Sequence, residues 1–398
     1  LYMEHFLNLI GRKQPLFAAD MNLHARELSD AIESSSFLVI GAAGSIGQAV
    51  SKEIFKRNPN VLHCVDLSEN NLVELVRDLR SSIGYIKGEF KTFALDAGSP
   101  EFIHMIQANG PYDFILNLSA LKHVRSEEDA FTLMRMIKVN ILNTENSILS
   151  AIEMSSKKYF CVSTDKAANP VNMMGASKRI MELFLSVYSN QIDISTARFA
   201  NVAFSDGSLL EGFNQRIKKN QPISAPNDVK RYFLTPQESG ELCLLSCILG
   251  DNRDIFFPKL DENIHLITFS EIASRYLMHH GYTPHICSSE EEARSEIQNL
   301  IKAKKWPCFF SQSSTTGEKD FEEFFEASDT IASDTFIDIG IIKSNLDISE
   351  QEIAFFKEQV LSMLERGGYS KESILELFQR LLPKFNHYEK GIYLDSKM

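Results

Sequence analysis

The stretch Phe37-Leu-Val-Ile-Gly-Ala-Ala-Gly-Ser-Ile-Gly47 joins a short apolar run to a turn that contains three glycines. Four consecutive apolar residues are too few for a helix and are typical of a strand buried on both faces of a parallel sheet. Directly after them, Gly41 permits a tight turn, Gly44 lets backbone N–H groups approach a pyrophosphate, and Gly47 allows a helix to pack closely on the strand. The stretch therefore predicts a strand, an anion-binding turn and a helix in succession.

Similar apolar runs recur along the first half of the chain and alternate with amphipathic stretches of helical length. The runs lie at 61–65, 91–95, 114–118, 159–162 and 194–199. The helical stretches lie at 46–57, 69–82, 100–108, 132–153 and 175–189. Regular alternation of this kind predicts an α/β fold with a doubly wound parallel sheet and right-handed crossovers.

After residue 204 the alternation gives way to shorter elements and charged loops. We predict two short helices in an N-terminal segment (1–32), a Rossmann-type dinucleotide-binding domain (33–204), and a smaller substrate-binding region (205–398). Part of that last region, 235–280, is expected to return to the sheet domain. Residues 312–330 are rich in Ser, Thr, Glu and Asp and predict irregular structure.

The C-terminus predicts a helical hairpin. Ser349-x-x-Glu352 forms a capping box, and the pair Gly367-Gly368 ends the first helix. A second helix is expected from about Lys371 to Leu382, where Pro383 stops it.

Composition narrows the class of protein. The 398 residues carry 41 basic and 53 acidic side chains, a net charge of −12, which argues against a nucleic-acid surface. No run approaches the ~20 apolar residues that span a bilayer, and no signal-peptide apolar region is visible, so we expect a cytoplasmic protein without a membrane partner. The chain begins with Leu1 rather than Met, which leaves the native N-terminus open. Among six cysteines no C-x-x-C spacing occurs, and Cys243 and Cys247 are interpreted as core packing; no metal site is predicted.

An acidic residue supports a dinucleotide cofactor. Asp66 ends the second strand about twenty residues after the glycines, where a carboxylate binds ribose hydroxyls. Neither Leu67 nor Ser68 is basic, so a 2′-phosphate would be repelled and NAD is favoured over NADP. A glycine turn beside an unrelated surface aspartate is the alternative. The predicted cofactor-binding residues are Gly41, Gly44, Ser45, Ile46, Gly47, Asp66, Asp96, Ala97, Ala120 and Lys178.

A polar cluster follows the fifth strand. Thr164, Asp165 and Lys166 place a hydroxyl, a carboxylate and an ammonium group in succession at the carboxyl end of a strand, where ligands bind in open α/β sheets. Lys178 follows within the next helix, at a position from which a lysine can hold the nicotinamide ribose. A surface ion pair between Asp165 and Lys166 is the alternative interpretation.

Six motifs occur in order and together resemble one family. They are Gly41-x-x-Gly44-x-x-Gly47, Asn117-Leu-Ser-Ala-Leu-Lys-His-Val124, Ser163-Thr-Asp-Lys-Ala167, Met174-Gly-Ala-Ser-Lys178, Arg198-Phe-Ala-Asn-Val202 and Arg231-Tyr-Phe-Leu-Thr235. The set is similar to the UDP-N-acetylglucosamine 4,6-dehydratases of bacterial polysaccharide and protein-glycan biosynthesis, which are extended short-chain dehydrogenases/reductases. The resemblance covers about 35–275, and the segment Thr316-Gly-Glu-Lys-Asp320 also looks like this family.

The resemblance implies a lyase reaction in three steps on UDP-N-acetylglucosamine. Hydride passes from sugar C4 to NAD⁺, water is eliminated across C5 and C6, and hydride returns to C6, which gives a 4-keto-6-deoxy sugar. Asp165 would protonate the leaving C6 hydroxyl, and Thr164 would bind the C4 oxygen. Lys166 would remove the C5 proton, for which its amine must be neutral part of the time; a desolvated position near Lys178 favours that form.

One position departs from most short-chain dehydrogenases. Met174 stands four residues before Lys178, where a tyrosine usually removes the C4 hydroxyl proton. The long, membrane-associated members of the resembled family also carry methionine there, and this form goes with retained configuration at C5. The base at C4 is therefore left open between Asp165 and a water molecule held by Thr164.

The resemblance also suggests substrate contacts and partners. Lys122 and Arg231 are candidates for binding the diphosphate, and Asn201 for binding the substrate. Pairing of helices 132–153 and 175–189 with a second copy would give a homo-oligomer, a dimer or higher. The nucleotide of the donor stays open. Two alternatives remain: a nucleotide-sugar epimerase on the same fold, and a non-catalytic NAD-sensing binding protein.

Overall fold

A nine-stranded, mostly parallel sheet organises the chain in a computed structural model, which describes residues 2–315, 318–319, 322–393 and 398. The strands of the described residues are, in chain order, β1 (Ser36–Ile40), β2 (Val61–Asp66), β3 (Glu89–Ala94), β4 (Phe114–Asn117), β5 (Lys158–Thr164), β6 (Asp193–Phe199), β7 (Asn201–Val202), β8 (Ile223–Pro226), β9 (Lys230–Arg231), β10 (Phe233–Leu234), β11 (Asp254–Pro258), β12 (Ile267–Thr268), β13 (Thr283–Ile286), β14 (Lys305–Ser311), β15 (Ile331–Ala332) and β16 (Ile339–Lys343).

The helices cover both faces of this sheet and build the smaller region. They are α1 (Tyr2–Leu9), α2 (Ala18–Leu23), α3 (Ala25–Glu33), α4 (Ser45–Phe55), α5 (Glu69–Ser82), α6 (Pro100–Asn109), α7 (Ala130–Ile137), α8 (Asn143–Glu153), α9 (Met173–Tyr188), α10 (Leu209–Lys218), α11 (Pro236–Leu249), α12 (Glu262–His265), α13 (Phe269–His279), α14 (Glu290–Lys302), α15 (Glu350–Arg366) and α16 (Lys371–Leu381).

The strand order of the large sheet is β15-β16-β11-β6-β5-β4-β1-β2-β3. Neighbours from β11 to β3 are parallel, whereas β16 runs antiparallel to β11 and β15 antiparallel to β16. The direction of winding reverses between β1 and β4, so a crevice opens at the carboxyl ends of these two strands. The predicted doubly wound parallel sheet is confirmed.

Most predicted elements agree with the structure. All six predicted strands and the five helical stretches between them occur, with ends shifted by up to about two residues. The stretch 132–153 differs because a π-helical segment, Lys138–Leu142, interrupts it between α7 and α8. The N-terminal segment forms three helices rather than two, since the backbone leaves helical geometry at His24.

Two hydrophobic cores lie on the two faces of the large sheet. One contains α4, α5 and α11, and here Cys243 and Cys247 are buried with free thiols, which confirms their packing role. The other contains α6 to α9 together with α15 and α16. A third core lies under the three-stranded parallel sheet β13-β14-β8, within the predicted substrate-binding region. Among the described residues, none of the helices combines the length and the apolar character that crossing a bilayer requires.

Segments from the C-terminal half return to the large sheet. Within 235–280, α11 packs on α4 and β11 joins β6. Outside that range, β15 and β16 also enter the sheet, and they lie in 331–343. Gly340 makes this pairing possible, because a Cβ there would lie 2.2 Å from the ring of Phe257.

The predicted C-terminal hairpin forms, and it covers α7 to α9. The capping box of Ser349 and Glu352 is present, and Phe356 packs edge-on against Phe184 of α9. Lys357 forms an ion pair with Glu145 at 2.7 Å. The hairpin therefore packs on part of the helices that the sequence assigned to a dimer. The homo-oligomer stays a prediction.

Candidate active site

The glycine-rich turn is built by close backbone packing. Gly41 has φ +75°, and a Cβ on it would lie 2.6 Å from the backbone nitrogen of Ser119 after β4. A Cβ on Gly47 would lie 2.0 Å from the carbonyl oxygen of Gly41. Both distances are far below any real Cβ contact, so these two glycines are required by the protein's own packing.

Gly44 is different because the protein leaves space around it. A Cβ there would meet only the Gly41 carbonyl oxygen, at 3.6 Å. Gly44 is also the N-cap of α4 and offers no side-chain acceptor to the N–H groups of the first turn, which holds Ser45 and Ile46. A helix N-terminus of this kind binds anions. The geometry fits the pyrophosphate of a dinucleotide.

Asp66 lies beside this turn, and its binding of the ribose stays a prediction. Its carboxylate accepts hydrogen bonds from the backbone N–H groups of Ala43 and Ser68, both at 2.9 Å. These bonds hold the carboxylate at the end of β2. Asp96 and Ala97 follow the neighbouring strand β3, where Asp96 is exposed and accepts from its own turn.

The predicted acid and base residues form one cluster where β5 ends. Thr164 donates to Asp165 at 2.9 Å, and the ammonium of Lys166 contacts the same carboxylate oxygen at 3.3 Å. Lys166 also donates to the side-chain oxygen of Asn201 at 3.4 Å. Asp165 is buried, whereas the Lys166 side chain keeps about a fifth of its surface exposed. The structure thus brings together Thr164, Asp165, Lys166 and Asn201.

The turn of this cluster packs directly on the start of α9. A Cβ on Gly175 would lie 2.3 Å from the carbonyl oxygen of Lys166, so only glycine fits there. Met174, next to it, is buried. Lys178 is also buried and donates to the carbonyl of Val162 on β5 at 2.7 Å, while burial lowers the pKa of Lys178. Lys178 therefore contacts the strand backbone rather than the acid–base cluster.

The other predicted substrate contacts lie in separate places. Lys122 donates to the hydroxyl of Ser205 at 3.2 Å, and Ala120 is partly exposed after β4. Arg231 is buried on β9, where it donates to the carbonyl of Lys230 at 2.8 Å. The roles of Lys122 and Arg231 at a diphosphate stay predictions.

The motif Thr316–Asp320 is described only at Glu318 and Lys319; Thr316, Gly317 and Asp320 lie outside the described residues. Lys319 donates to the carbonyl of Ala168, directly after the turn that holds Asp165 and Lys166, at 3.1 Å. This segment therefore reaches the site from a distant part of the sequence.

Sequence reasoning missed Asn140, which the π-helical segment presents to the site. Its amide accepts from the N–H of Leu121 at 2.9 Å, donates to the Leu121 carbonyl at 3.0 Å, and donates to Ser177 of α9 at 3.1 Å. Asn140 thus connects the loop after β4 with α9. The available signal was an amide among apolar neighbours, between Val139 and Ile141. The π-helical geometry, which often marks functional sites, is visible only in the structure.

A buried ion pair under the cluster was also missed. Glu182 of α9 accepts from Ser163 at 2.6 Å and from two nitrogens of Arg198 at 3.0 and 2.7 Å. Arg198 in turn donates to the carbonyl of Phe324 at 2.8 Å. Burial alone would raise the pKa of Glu182, but Arg198, helped by Arg179, more than offsets this and lowers that pKa to about 2. The pair ties β5, β6 and α9 together beneath Thr164 and Asp165.

The fold and the site together define a Rossmann-fold protein of the extended short-chain dehydrogenase/reductase class. The chain belongs to the polysaccharide biosynthesis protein family, whose sequence profile matches residues 37–343. Family membership thereby confirms the class of protein that the motifs predicted.

Three curated relatives illustrate the family. The chain is 30% identical over 270 residues to an uncharacterized membrane protein of Methanocaldococcus jannaschii, covering 65% of this chain and 77% of that protein. It is 29% identical over 269 residues to the capsular polysaccharide biosynthesis protein CapD of Staphylococcus aureus, covering 66% of this chain but only 43% of CapD. It is 28% identical over 236 residues to an inverting UDP-N-acetylglucosamine 4,6-dehydratase of Campylobacter jejuni, covering 56% of this chain and 67% of that enzyme.

Solved structures share the fold. The X-ray structure of Pen from Bacillus thuringiensis aligns with a TM-score of 0.64 at 20% identity, over 83% of this chain and 99% of that one. A UDP-glucose 4-epimerase of Thermotoga maritima with UDP-glucose gives 0.55 at 16%, over 73% and 90%. DesIV, a dTDP-glucose 4,6-dehydratase of Streptomyces venezuelae with NAD bound, gives 0.54 at 14%, over 73% and 88%. At these identities the likeness establishes the common fold.

The Glu182–Arg198 pair predicts a specific acid sensitivity. Because the folded-state pKa of Glu182 is lowered from 4.5 to about 2, its contribution to stability is fully present above about pH 4.5 and is lost as the pH falls towards 2. The contribution is on the order of 3 kcal/mol. Urea unfolding at several pH values between 7 and 3 should show a smaller acid-induced loss of stability in Glu182→Gln than in the wild type.

Glu291→Gln, an exposed glutamate on α14, is the matched control and should follow the wild-type curve. Parallel curves for Glu182→Gln and the wild type would contradict the prediction.

Proposed function

We propose that the protein is an NAD-dependent UDP-N-acetylglucosamine 4,6-dehydratase that retains the configuration at C5. The observation that carries this proposal is the cluster at the end of β5, where the buried carboxylate of Asp165 and the partly exposed amine of Lys166 lie 3.3 Å apart and share Thr164 as a neighbour. Elimination of water across C5 and C6 needs one acid and one base close together, and this pair supplies both.

The turn after β1 supports the cofactor. The N-terminus of α4 would hold the pyrophosphate, with the space beside Gly44 left for it, and Asp66 would bind the adenosine ribose. Lys178 would lie near the nicotinamide ribose. When bound, NAD would take hydride from C4 and return it to C6.

The cluster can complete the proton transfers without another residue. Asp165, as carboxylate, accepts the proton of the C4 hydroxyl, which Thr164 orients. Lys166, as neutral amine, then removes the C5 proton, and Asp165 gives its proton to the C6 hydroxyl, which leaves as water. Lys166 finally returns its proton to C5 from the same side, which gives retention. Asp165 and Lys166 each end in the protonation state in which they began. The sequence leaves the base at C4 open between Asp165 and a water molecule held by Thr164, and we favour Asp165 because the proton it takes from C4 is the one it gives to the C6 hydroxyl.

An epimerase on the same fold is the alternative enzyme. It would oxidise C4 and reduce it again, and would need no acid for a leaving hydroxyl. The contact of Asp165 with Lys166 therefore favours the dehydratase. A non-catalytic NAD-sensing protein would need neither residue.

Mass spectrometry after incubation with UDP-N-acetylglucosamine and NAD⁺ tests the function. We expect a product lighter by one water; an epimerase would give no mass change, and a binding protein no product.

Asp165→Asn should reduce dehydration by roughly 10²-fold or more, the usual range for a general acid. Asp193→Asn, an exposed carboxylate at the opposite end of β6, should stay fully active. Near-normal dehydration by Asp165→Asn would show that another group protonates the leaving hydroxyl. Repeating the assay with GDP- and CDP-linked donors identifies the nucleotide.

Two of the three glycines of the turn, Gly44 and Gly47, give a matched test of the cofactor site. Gly44→Ala should unfold at nearly the wild-type temperature, because its Cβ meets only one atom, at 3.6 Å, but should bind NAD⁺ at least ten-fold more weakly. Gly47→Ala should be markedly destabilised, because its Cβ would lie 2.0 Å from a carbonyl oxygen. Calorimetric titration and thermal unfolding measure both effects. Unchanged NAD⁺ affinity in Gly44→Ala, or tighter binding of NADP⁺ by the wild type, would contradict the assignment.

Met174 predicts that the missing tyrosine is not a defect. Met174→Leu should keep most of the turnover, because a buried apolar side chain of similar volume is preserved. Lys178→Ala should be far more damaging, and Met174→Tyr should bring no large gain. Turnover under saturating NAD⁺ measures all three. A strong rise for Met174→Tyr would favour a degraded dehydrogenase and with it the NAD-sensing protein.

A further inference from the structure

The loop 168–172 separates the catalytic turn from α9, and remote parts of the chain hold both of its ends. At the first end, Lys319 donates to the Ala168 carbonyl at 3.1 Å, and Asn169 donates to the carboxylate of Glu323 at 3.1 Å. At the second end, the backbone N–H of Tyr388 donates to the Val171 carbonyl at 2.8 Å. The C-terminal tail, residues 382–393, therefore reaches the site.

The same tail contacts the start of α9 through a buried carboxylate. His387 Nε2 lies 2.9 Å from Glu127 Oε1, and Glu127 Oε2 accepts from the backbone N–H of Met173 at 2.6 Å. Glu127 is fully buried, and it lies in the loop between β4 and α7. One carboxylate thus connects the tail to the residue that begins α9 and precedes Met174.

This carboxylate has a direct effect on the helix start. The first N–H groups of a helix lack acceptors within the helix, and a negative charge next to them is stabilising. Asn172 caps the N–H of Gly175 at 2.7 Å, and Glu127 takes the N–H of Met173. Without His387, one oxygen of a buried carboxylate would lose its partner, and the carboxylate would then shift towards other donors.

The tail itself is fixed to the C-terminal hairpin. Lys371, at the start of α16, donates to Glu389 at 3.2 Å and to the hydroxyl of Tyr393 at 3.1 Å. Because α16 packs on α9 and α7, these contacts anchor the tail next to α9. His387 is partly buried as a residue, and its ring connects the anchored tail to Glu127.

We infer that His387 is a positioning residue of the active site, which acts through Glu127 on the N–H of Met173 and so fixes the start of α9 against the Asp165–Lys166 turn. The expected effect on kcat rests on the proposed function. Contact of Gly175 with the Lys166 carbonyl transmits the position, since the two backbones touch without a side chain between them. A small displacement of α9 would therefore move Lys166 relative to Met174 and Lys178.

The experiment compares His387→Leu, which removes the ring nitrogen, with His387→Gln, whose amide nitrogen can donate to the same oxygen. In the full chain we expect His387→Leu to lower kcat about ten-fold or more, with KM for UDP-N-acetylglucosamine and affinity for NAD⁺ within two-fold of the wild type. His387→Gln should restore most of kcat. His104→Leu, an exposed histidine on α6, is the control and should be unchanged.

Amide hydrogen exchange provides a second measurement that does not depend on the reaction. Peptides that cover 168–176 should exchange about ten-fold faster in His387→Leu than in the wild type, and near the wild-type rate in His387→Gln. If the wild type does not dehydrate the sugar, the proposed function fails, and the exchange data alone then decide whether His387 holds the start of α9. Unchanged exchange in His387→Leu, or equal loss of kcat and of cofactor affinity in both variants, would overturn the inference.

Discussion

Close approach of backbone to backbone is the constraint on which this structure depends. Gly41 touches the chain after β4, and Gly47 touches Gly41 itself. Gly240 of α11 would place a Cβ 2.6 Å from the backbone of Ala49, so α4 is pressed between the turn and α11. The first turn of α4 is therefore held at the crevice between β1 and β4, where its N–H groups receive no side-chain cap from Gly44. A side chain at any of these contacts would move the helix and remove the anion site with it.

The same principle operates on the other side of the crevice. Gly175 brings α9 against the carbonyl of Lys166, so the acid–base turn rests on a helix rather than on solvent. Below it, the Glu182–Arg198 pair joins α9 to β5 and β6. Such a buried pair is costly to desolvate and is weak evidence for stability as such, but breaking it leaves an isolated charge. Its position directly under Ser163 suits a role in fixing the end of β5.

The sequence was sufficient to predict the sheet and the cluster at the end of β5. The length of the apolar runs, and their alternation with helical stretches, identified β1 to β6, because buried parallel strands appear in a sequence as short continuous apolar runs. The turn Thr164–Lys166 was recognisable because its polar residues follow such a run directly. Local sequence also predicted both helices of the C-terminal hairpin, from the Ser349 capping box and Gly367.

What the sequence did not reveal are the contacts between distant segments. Nothing near Glu127 indicates that it binds the N–H of Met173. Glu127 and His387 are 260 positions apart in the sequence, and no local pattern links them. The entry of β15 and β16 into the sheet was missed for the same reason, since two antiparallel edge strands carry no crossover signal. The docking of the hairpin on α7 and α9 was also missed, because hydrophobic periodicity does not specify which element covers a helix face.

Under the proposed function, these distant contacts would take over part of the role that the usual tyrosine has in the site. Asp165 and Lys166 come from one turn, so their mutual distance is set locally and is insensitive to the rest of the chain. Their position relative to Met174 and Lys178 is not set locally, because a loop of five residues, 168–172, lies between the turn and α9. A phenol at Met174 would have contributed both a base and a fixed point. Here the turn itself can supply the base. The position of the turn relative to α9 has to be fixed by packing, through contacts of Gly175, Lys319 and Glu127.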